Sequence, residues 1–108
     1  MAREKFHTLT EQMFYILLCL TKEQCGTDLM GAVSAVTNGR VIVGPGTLYN
    51  LLEQFQTAGM IEETKVEGRR RSYRITAAGR QALAEEYRRI LILAEDYDHP
   101  FQKTAGSP

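Results

Sequence analysis

The sequence predicts an α+β fold, mainly α: a winged helix-turn-helix followed by a C-terminal dimerisation helix. Three observations carry this. Apolar residues recur at helical spacing in several separate runs, two strand-like runs lie back to back between Ile61 and Ile75, and an arginine-rich tip joins them. A short amphipathic helix runs directly into that hairpin. The order is that of a reading helix with a basic wing, a layout suited to DNA.

Each element follows from its pattern. Met13, Ile16, Leu17 and Leu20 fall at i, i+3, i+4 and i+7, predicting a first helix over Leu9 to Gln24, with Thr8 or Thr10 as N-cap and Gly26 ending it. A second helix starts near Thr27 or Asp28 and carries Leu29, Met30, Val33 and Val36 to Thr37, before an Asn38-Gly39 turn. The β-branched run Val41-Ile42-Val43 is expected as a short strand of a small sheet. After Gly44-Pro45-Gly46, Thr47 is expected to cap a third helix whose buried face is Leu48, Leu51, Leu52 and Phe55. Gly59 is the left-handed residue expected after its end. Ile61 to Val66 and Arg71 to Ile75 are the strands, with Glu67-Gly68-Arg69-Arg70 as tip. Thr76 caps a last helix reaching about Asp98. Its stripe is Leu83, Tyr87, Ile90, Leu91, Ala94 and Tyr97, with Ile92 and Leu93 adding apolar surface outside it. A helix apolar on more than one side needs two partners: the first helix, and a second copy of the chain.

The chain of 108 residues is long enough for one domain. Within it, residues 1–75 are expected to form the DNA-binding region, 76–98 the dimerisation helix and 99–108 a flexible tail. No apolar stretch approaches the roughly 20 residues that span a bilayer, and no signal peptide is evident, so a cytoplasmic location without membrane contact is expected. The formal net charge is zero. Its distribution is uneven: Lys65, Arg69, Arg70, Arg71 and Arg74 are opposed within their own segment by Glu67 alone. Such a protrusion directs DNA to one surface.

Nothing assembles into a catalytic set. His7 and His99 lie in terminal arms, and Ser34, Ser72 and Ser107 have no accompanying triad pattern. The glycines of Gly44-Pro45-Gly46-Thr47 lack the spacing and the Gly-Lys-Ser/Thr ending of a phosphate-binding loop. Cys19 and Cys25 have no neighbouring metal-ligand pattern and are expected to be structural, unreactive thiols. Neither enzyme activity, cofactor nor metal is therefore expected.

The residues expected to contact DNA are Thr47, Tyr49, Asn50 and Gln54 on the third helix, and Lys65, Arg69, Arg70, Arg71 and Arg74 on the wing. Thr47 and the helix-start N–H groups suit a phosphate, Tyr49 a phosphate or sugar, and Asn50 and Gln54 suit paired hydrogen bonds to adenine. The wing arginines suit phosphates or a narrow minor groove. Tyr73 alternates with Ile75 on the core side and is expected to pack there, while Arg74 faces outward.

Two segments, GRVIVGPGTLYNLLEQFQTAGMI (Gly39 to Ile61) and GRRRSYRITAAGRQAL (Gly68 to Leu83), resemble the PadR family of bacterial transcriptional regulators. The resemblance implies a winged helix-turn-helix that dimerises through its C-terminal helix, acts mostly as a repressor, and in several members releases DNA when a planar, hydrophobic small molecule binds. By motif, Thr47, Tyr49 and Asn50 fall in the reading helix and Arg69 to Arg71 in the wing. The single helix after the wing resembles the compact subgroup. Some compact members sandwich aromatic drugs on a tryptophan of that helix; this chain has no tryptophan, and counting from Thr76 puts Ile90 in its place. Phe14, Tyr87 and Ile90 are then the residues for an interfacial ligand pocket, against the alternative of an ordinary packed dimer core. The expected partners are a double-stranded, pseudo-palindromic DNA operator, a second copy of the chain, and a hydrophobic or aromatic effector. The alternative is a winged-helix dimer serving as a protein–protein interaction module or small-molecule sensor without operator binding.

Overall fold

A computed structural model describes residues 8–102 of the chain. His7, Ser107 and most of the expected C-terminal tail lie outside the described residues. The element order is α1 (Glu11–Cys19), β1 (Gln24–Cys25), α2 (Gly26–Val36), α3 (Pro45–Thr57), β2 (Ile61–Glu67), β3 (Arg70–Ile75) and α4 (Ala77–Asp98). The three strands form one antiparallel sheet in the order β1-β3-β2. This is the mainly helical winged-helix architecture that the periodicities predict.

Thr10 caps α1, its Oγ1 accepting from the Met13 N–H at 3.2 Å. The helix stops at Cys19, well short of the expected Gln24. Gln24 and Cys25 instead pair with Tyr73 and Ser72 of β3, and the Gln24 side chain donates to the Cys19 carbonyl at 2.7 Å. A sheet edge thus captures residues whose local pattern favours helix. Gly26 does not terminate α1; it is the first residue of α2.

The segment Val41-Ile42-Val43 is not a strand. Val41 and Val43 are buried and Ile42 is exposed, as alternation requires, yet no strand lies beside them. The Val41 N–H donates to the Thr37 hydroxyl at 3.0 Å, and the Ile42 carbonyl accepts from the Gln12 side-chain amide at 3.2 Å. Side-chain hydrogen bonds here take the place of a ladder.

Gly44, rather than Thr47, is the N-cap of α3, with Pro45 in the first turn. Proline suits that place because its φ is already helical and its missing N–H would have no helical partner. Thr47 sits inside the first turn. At the other end, Gly59 has φ +77°. Its N–H bonds to the Gln56 carbonyl at 3.0 Å and that of Met60 to the Phe55 carbonyl at 2.8 Å. This is the paired closure of a Schellman motif.

The core gathers Ile16, Leu17 and Leu20 of α1, Leu29 and Val33 of α2, Leu48, Leu52 and Phe55 of α3, and Met60. Its lid is the start of α4. The Thr76 hydroxyl accepts from the Gly79 N–H at 3.1 Å and donates to the Gly59 carbonyl at 2.6 Å, tying α4 to the turn after α3. Ala82 and Glu86 are the last buried residues of α4. Beyond them the helix carries Tyr87, Ile90, Leu91, Ile92, Leu93 and Tyr97 exposed.

Candidate nucleic-acid interface

Burial of Leu48, Leu51, Leu52 and Phe55 fixes the rotation of α3. Thr47, Asn50 and Glu53 are consequently exposed, and Gln54 is half-exposed. Tyr49 is exposed in part, and one edge of its ring lies against Gly26: a Cβ at residue 26 would come within 3.3 Å of Tyr49 Cε1 and 3.4 Å of Tyr73 Cε1. The absence of a side chain at Gly26 therefore lets two tyrosines from different elements converge on the start of α2.

The wing is a two-residue hairpin. Glu67 pairs with Arg70, leaving Gly68 and Arg69 at the tip, with Gly68 at φ +64°. The register shifts between Glu63 and Lys65, so Thr64 is the extra residue of a bulge and its hydroxyl is buried without a partner. Tyr73 and Ile75 are buried and Arg74 is exposed, as their alternation predicts.

The charge of the wing differs from its reading along the chain. Arg71 pairs with Glu63 at 2.8 Å, Arg74 with Glu62 at 3.1 Å, and Arg70 with Asp28 of α2 at 3.7 Å. Among the described residues, Lys65 and Arg69 have no such acid. Strand pairing sets Glu62 opposite Arg74 and Glu63 opposite Tyr73, within side-chain reach of Arg71, acids that a count confined to residues 65–74 leaves out. Glu63 holds the Arg71 guanidinium above its usual pKa, and the Cys25 thiol and then Asp28 do the same for Arg70. The guanidinium groups of these pairs are solvent-exposed, so the pairs add little to stability.

Helix and wing border one cleft. A cavity of about 400 Å³ is lined by Tyr49 and Gln56 of α3, Arg69 and Arg71 of the hairpin, and Gly26, Thr27 and Tyr73 between them. Gly26, Thr27, Gln56 and Tyr73 were not selected from the sequence. They come from three separate stretches of the chain: the pairing of β1 with β3 brings Gly26 and Thr27 beside Tyr73, and the packing of α3 on α2 and β2 adds Gln56.

A second region lies between α1 and α4. Phe14, Tyr87 and Ile90, the three residues chosen for a ligand pocket, line one cavity of about 460 Å³ with Leu9, Tyr15 and Glu86. Leu83 packs half-buried against the core, whereas Tyr87, Ile90, Leu91, Ala94 and Tyr97 are exposed. Glu86 is an acid that periodicity does not mark. It is 5% exposed and accepts from the Arg89 Nε at 3.1 Å.

Cys19 and Cys25 are both free and buried. Burial raises the Cys19 thiol pKa; hydrogen bonds from Thr27, and then Arg70, lower that of Cys25. Among the described residues no cluster of His, Cys, Asp and Glu could hold a metal ion, and no helix is long and apolar enough to cross a membrane.

Residues 16–85 match the transcriptional regulator PadR-like family. The chain belongs to that family. It is a family of regulators, not of catalysts. A segment of 68 residues is 43% identical to the transcriptional regulator Rv3488 of Mycobacterium tuberculosis, covering 60% of this chain and 64% of that protein. The fold is similar to that of H. salinarum RosR, with a TM-score of 0.67 at 19% identity over 93% of this chain and 96% of that one. It is equally similar to a transcriptional regulator from Clostridium thermocellum, with a TM-score of 0.67 at 21% identity over 83% of this chain and 90% of that one.

Proposed function

We propose that this PadR-like chain is a cytoplasmic, homodimeric repressor that binds a pseudo-palindromic operator. The observation that carries the reading is the shared cleft: Tyr49 and Gln56 on one flank of α3 line the same cavity as Arg69 and Arg71 of the hairpin, which sets the helix beside the wing. In this reading Asn50 and Gln54 contact base edges, and Thr47 and Tyr49 contact the backbone. Lys65, Arg69, Arg70, Arg71 and Arg74 approach the flanking phosphates or minor groove. Because three of these arginines are ion-paired, phosphates compete with Glu62, Glu63 and Asp28 for them.

Dimerisation is supported by the second half of α4, whose tyrosines and branched apolar residues are exposed on more than one side. Two reading helices related by a twofold axis meet major grooves about 34 Å apart. The cavity of Phe14, Tyr87 and Ile90 at that helix supports an apolar effector that alters the dimer.

The test is fluorescence anisotropy with duplexes tiling the DNA that flanks the protein's own coding region. The expected result is one duplex bound far more tightly than the rest, with affinity falling steeply with salt. Equal, weak binding to every duplex would leave the interaction-module reading instead.

A further inference from the structure

The cleft between α2, α3 and the hairpin is reached by the hydroxyl of Tyr73, whose ring packs in the core. Tyr73 is 6% exposed and lines the cavity, and its hydroxyl, which solvent reaches there, makes no hydrogen bond to another described residue. An acceptor entering the cavity can take that hydroxyl's hydrogen bond in place of water. Burial also raises its pKa above the usual tyrosine value, keeping it a neutral donor at physiological pH. The Tyr49 ring converges on the same spot, its hydroxyl oxygen 3.5 Å from where a Gly26 Cβ would stand.

The surrounding charge selects the sign of the guest. Arg69 reaches the cavity with no acid paired to it among the described residues, and the first turn of α2 presents the positive end of an 11-residue helix. Of the nearby acids, Glu63 at the cavity wall is matched by Arg71 at 2.8 Å and Asp28 by Arg70 at 3.7 Å, while Glu67 lies across the hairpin from Arg70 and does not line the cavity. What is left is a monoanion site with two hydroxyl donors, open on the side where α3 and the wing face outward.

We propose that this cavity is a socket for a single DNA backbone phosphodiester, which accepts hydrogen bonds from the Tyr73 and Tyr49 hydroxyls while Arg69 supplies its counter-charge. The proposal rests on the DNA-binding reading. It adds a contact from the base of the wing, distinct from base readout by α3. A backbone contact of this kind sets the register of the reading helix without reading sequence itself.

The experiment uses the full chain and a random-sequence duplex of about three helical turns, because a phosphate contact is sequence-independent. Tyr73→Phe keeps the packed ring and removes only the hydroxyl. It should weaken binding about tenfold while leaving the thermal midpoint and the salt slope unchanged, since a neutral donor releases no counterion. Tyr49→Phe should act in the same direction. In wild-type protein, titration with inorganic phosphate should shift the Gly26 and Thr27 amide resonances, and those shifts should shrink in Tyr73→Phe.

Unchanged affinity in Tyr73→Phe, or phosphate shifts absent from those amides, would overturn the socket while leaving DNA binding by α3 and the wing intact. A wild-type protein that binds no duplex would sink the DNA-binding reading and the socket with it. Tighter binding of an acidic peptide than of the duplex would likewise overturn the socket, in favour of a carboxylate guest.

Discussion

Gly79 of α4 lies directly on the backbone of Met60: a Cβ at residue 79 would stand 2.1 Å from the Met60 carbonyl oxygen. Ile75 closes the other side at 2.7 Å. No flexible side chain can yield to relieve the first contact, so α4 would have to lift off the turn between α3 and β2. Gly79→Ala is therefore expected to destabilise the fold by about 2–4 kcal/mol, despite alanine's better helix propensity. Thermal unfolding should show a midpoint lowered by ten degrees or more, roughly. A midpoint within a degree of wild type would mean that α4 docks elsewhere.

The Arg71–Glu63 pair sets up a competition at the wing. Glu63→Gln frees the guanidinium and removes a negative charge from the cleft, with little effect on stability because the Arg71 guanidinium is exposed. Binding to a duplex should tighten about two- to fivefold at low salt, and the gain should fade as salt screens it. Weaker binding would show instead that Glu63 orients Arg71 productively.

Arg69→Ala and Asn50→Ala should fail in different ways. Arg69 has no ion pair among the described residues, and its loss should weaken binding to every sequence and reduce the salt slope by about 0.9. Asn50 is exposed on α3, and its loss should cost about 1–3 kcal/mol at one base pair per half-site with the slope unchanged. A panel of single-base operator variants measured at several salt concentrations separates the two. Uniform weakening by Asn50→Ala would recast it as a backbone contact.

Leu91 is half-exposed in the single chain, so Leu91→Asp should leave the monomer fold intact. At a twofold interface the same change buries two like charges, each costing about 3 kcal/mol or more. Light scattering at micromolar concentration should then give a dimer for wild type and a monomer for the variant. A wild-type monomer would remove α4 as the dimer contact.

Cys25 and Cys19 should differ in reactivity. Thr27 and Arg70 favour the Cys25 thiolate, whereas burial disfavours that of Cys19. A depressed pKa means more thiolate at a given pH, so Cys25 should alkylate first as pH rises through 7 toward 9. Peptide mapping after brief iodoacetamide treatment reads the order directly; equal or reversed labelling would contradict it.

Local chemistry determined much of this protein. The spacing Leu48, Leu51, Leu52, Phe55 set both the helix α3 and its outward residues, Gly59 its end, Thr76 the start of α4, and the Gly68-Arg69 tip the hairpin. Each depends on residues within one or two turns of each other, so each is legible along the chain. The rest depended on partners far away in sequence. Gln24 and Cys25 form a strand only because β3 offers an edge, while Val41-Ile42-Val43 has the right alternation and no edge to join. The wing arginines are strongly basic in order of sequence but largely paired in space, because the folded sheet brings Glu62 opposite Arg74, Glu63 within reach of Arg71 and Asp28 of α2 near Arg70. Tyr73, legible as a packing residue, opens onto a cavity with Gly26 and Tyr49 only once the sheet has closed. Periodicity and caps are encoded by neighbours. Strand pairing, charge compensation and cavities belong to the tertiary structure, because hydrogen bonds and electrostatics act through space whatever the separation along the chain.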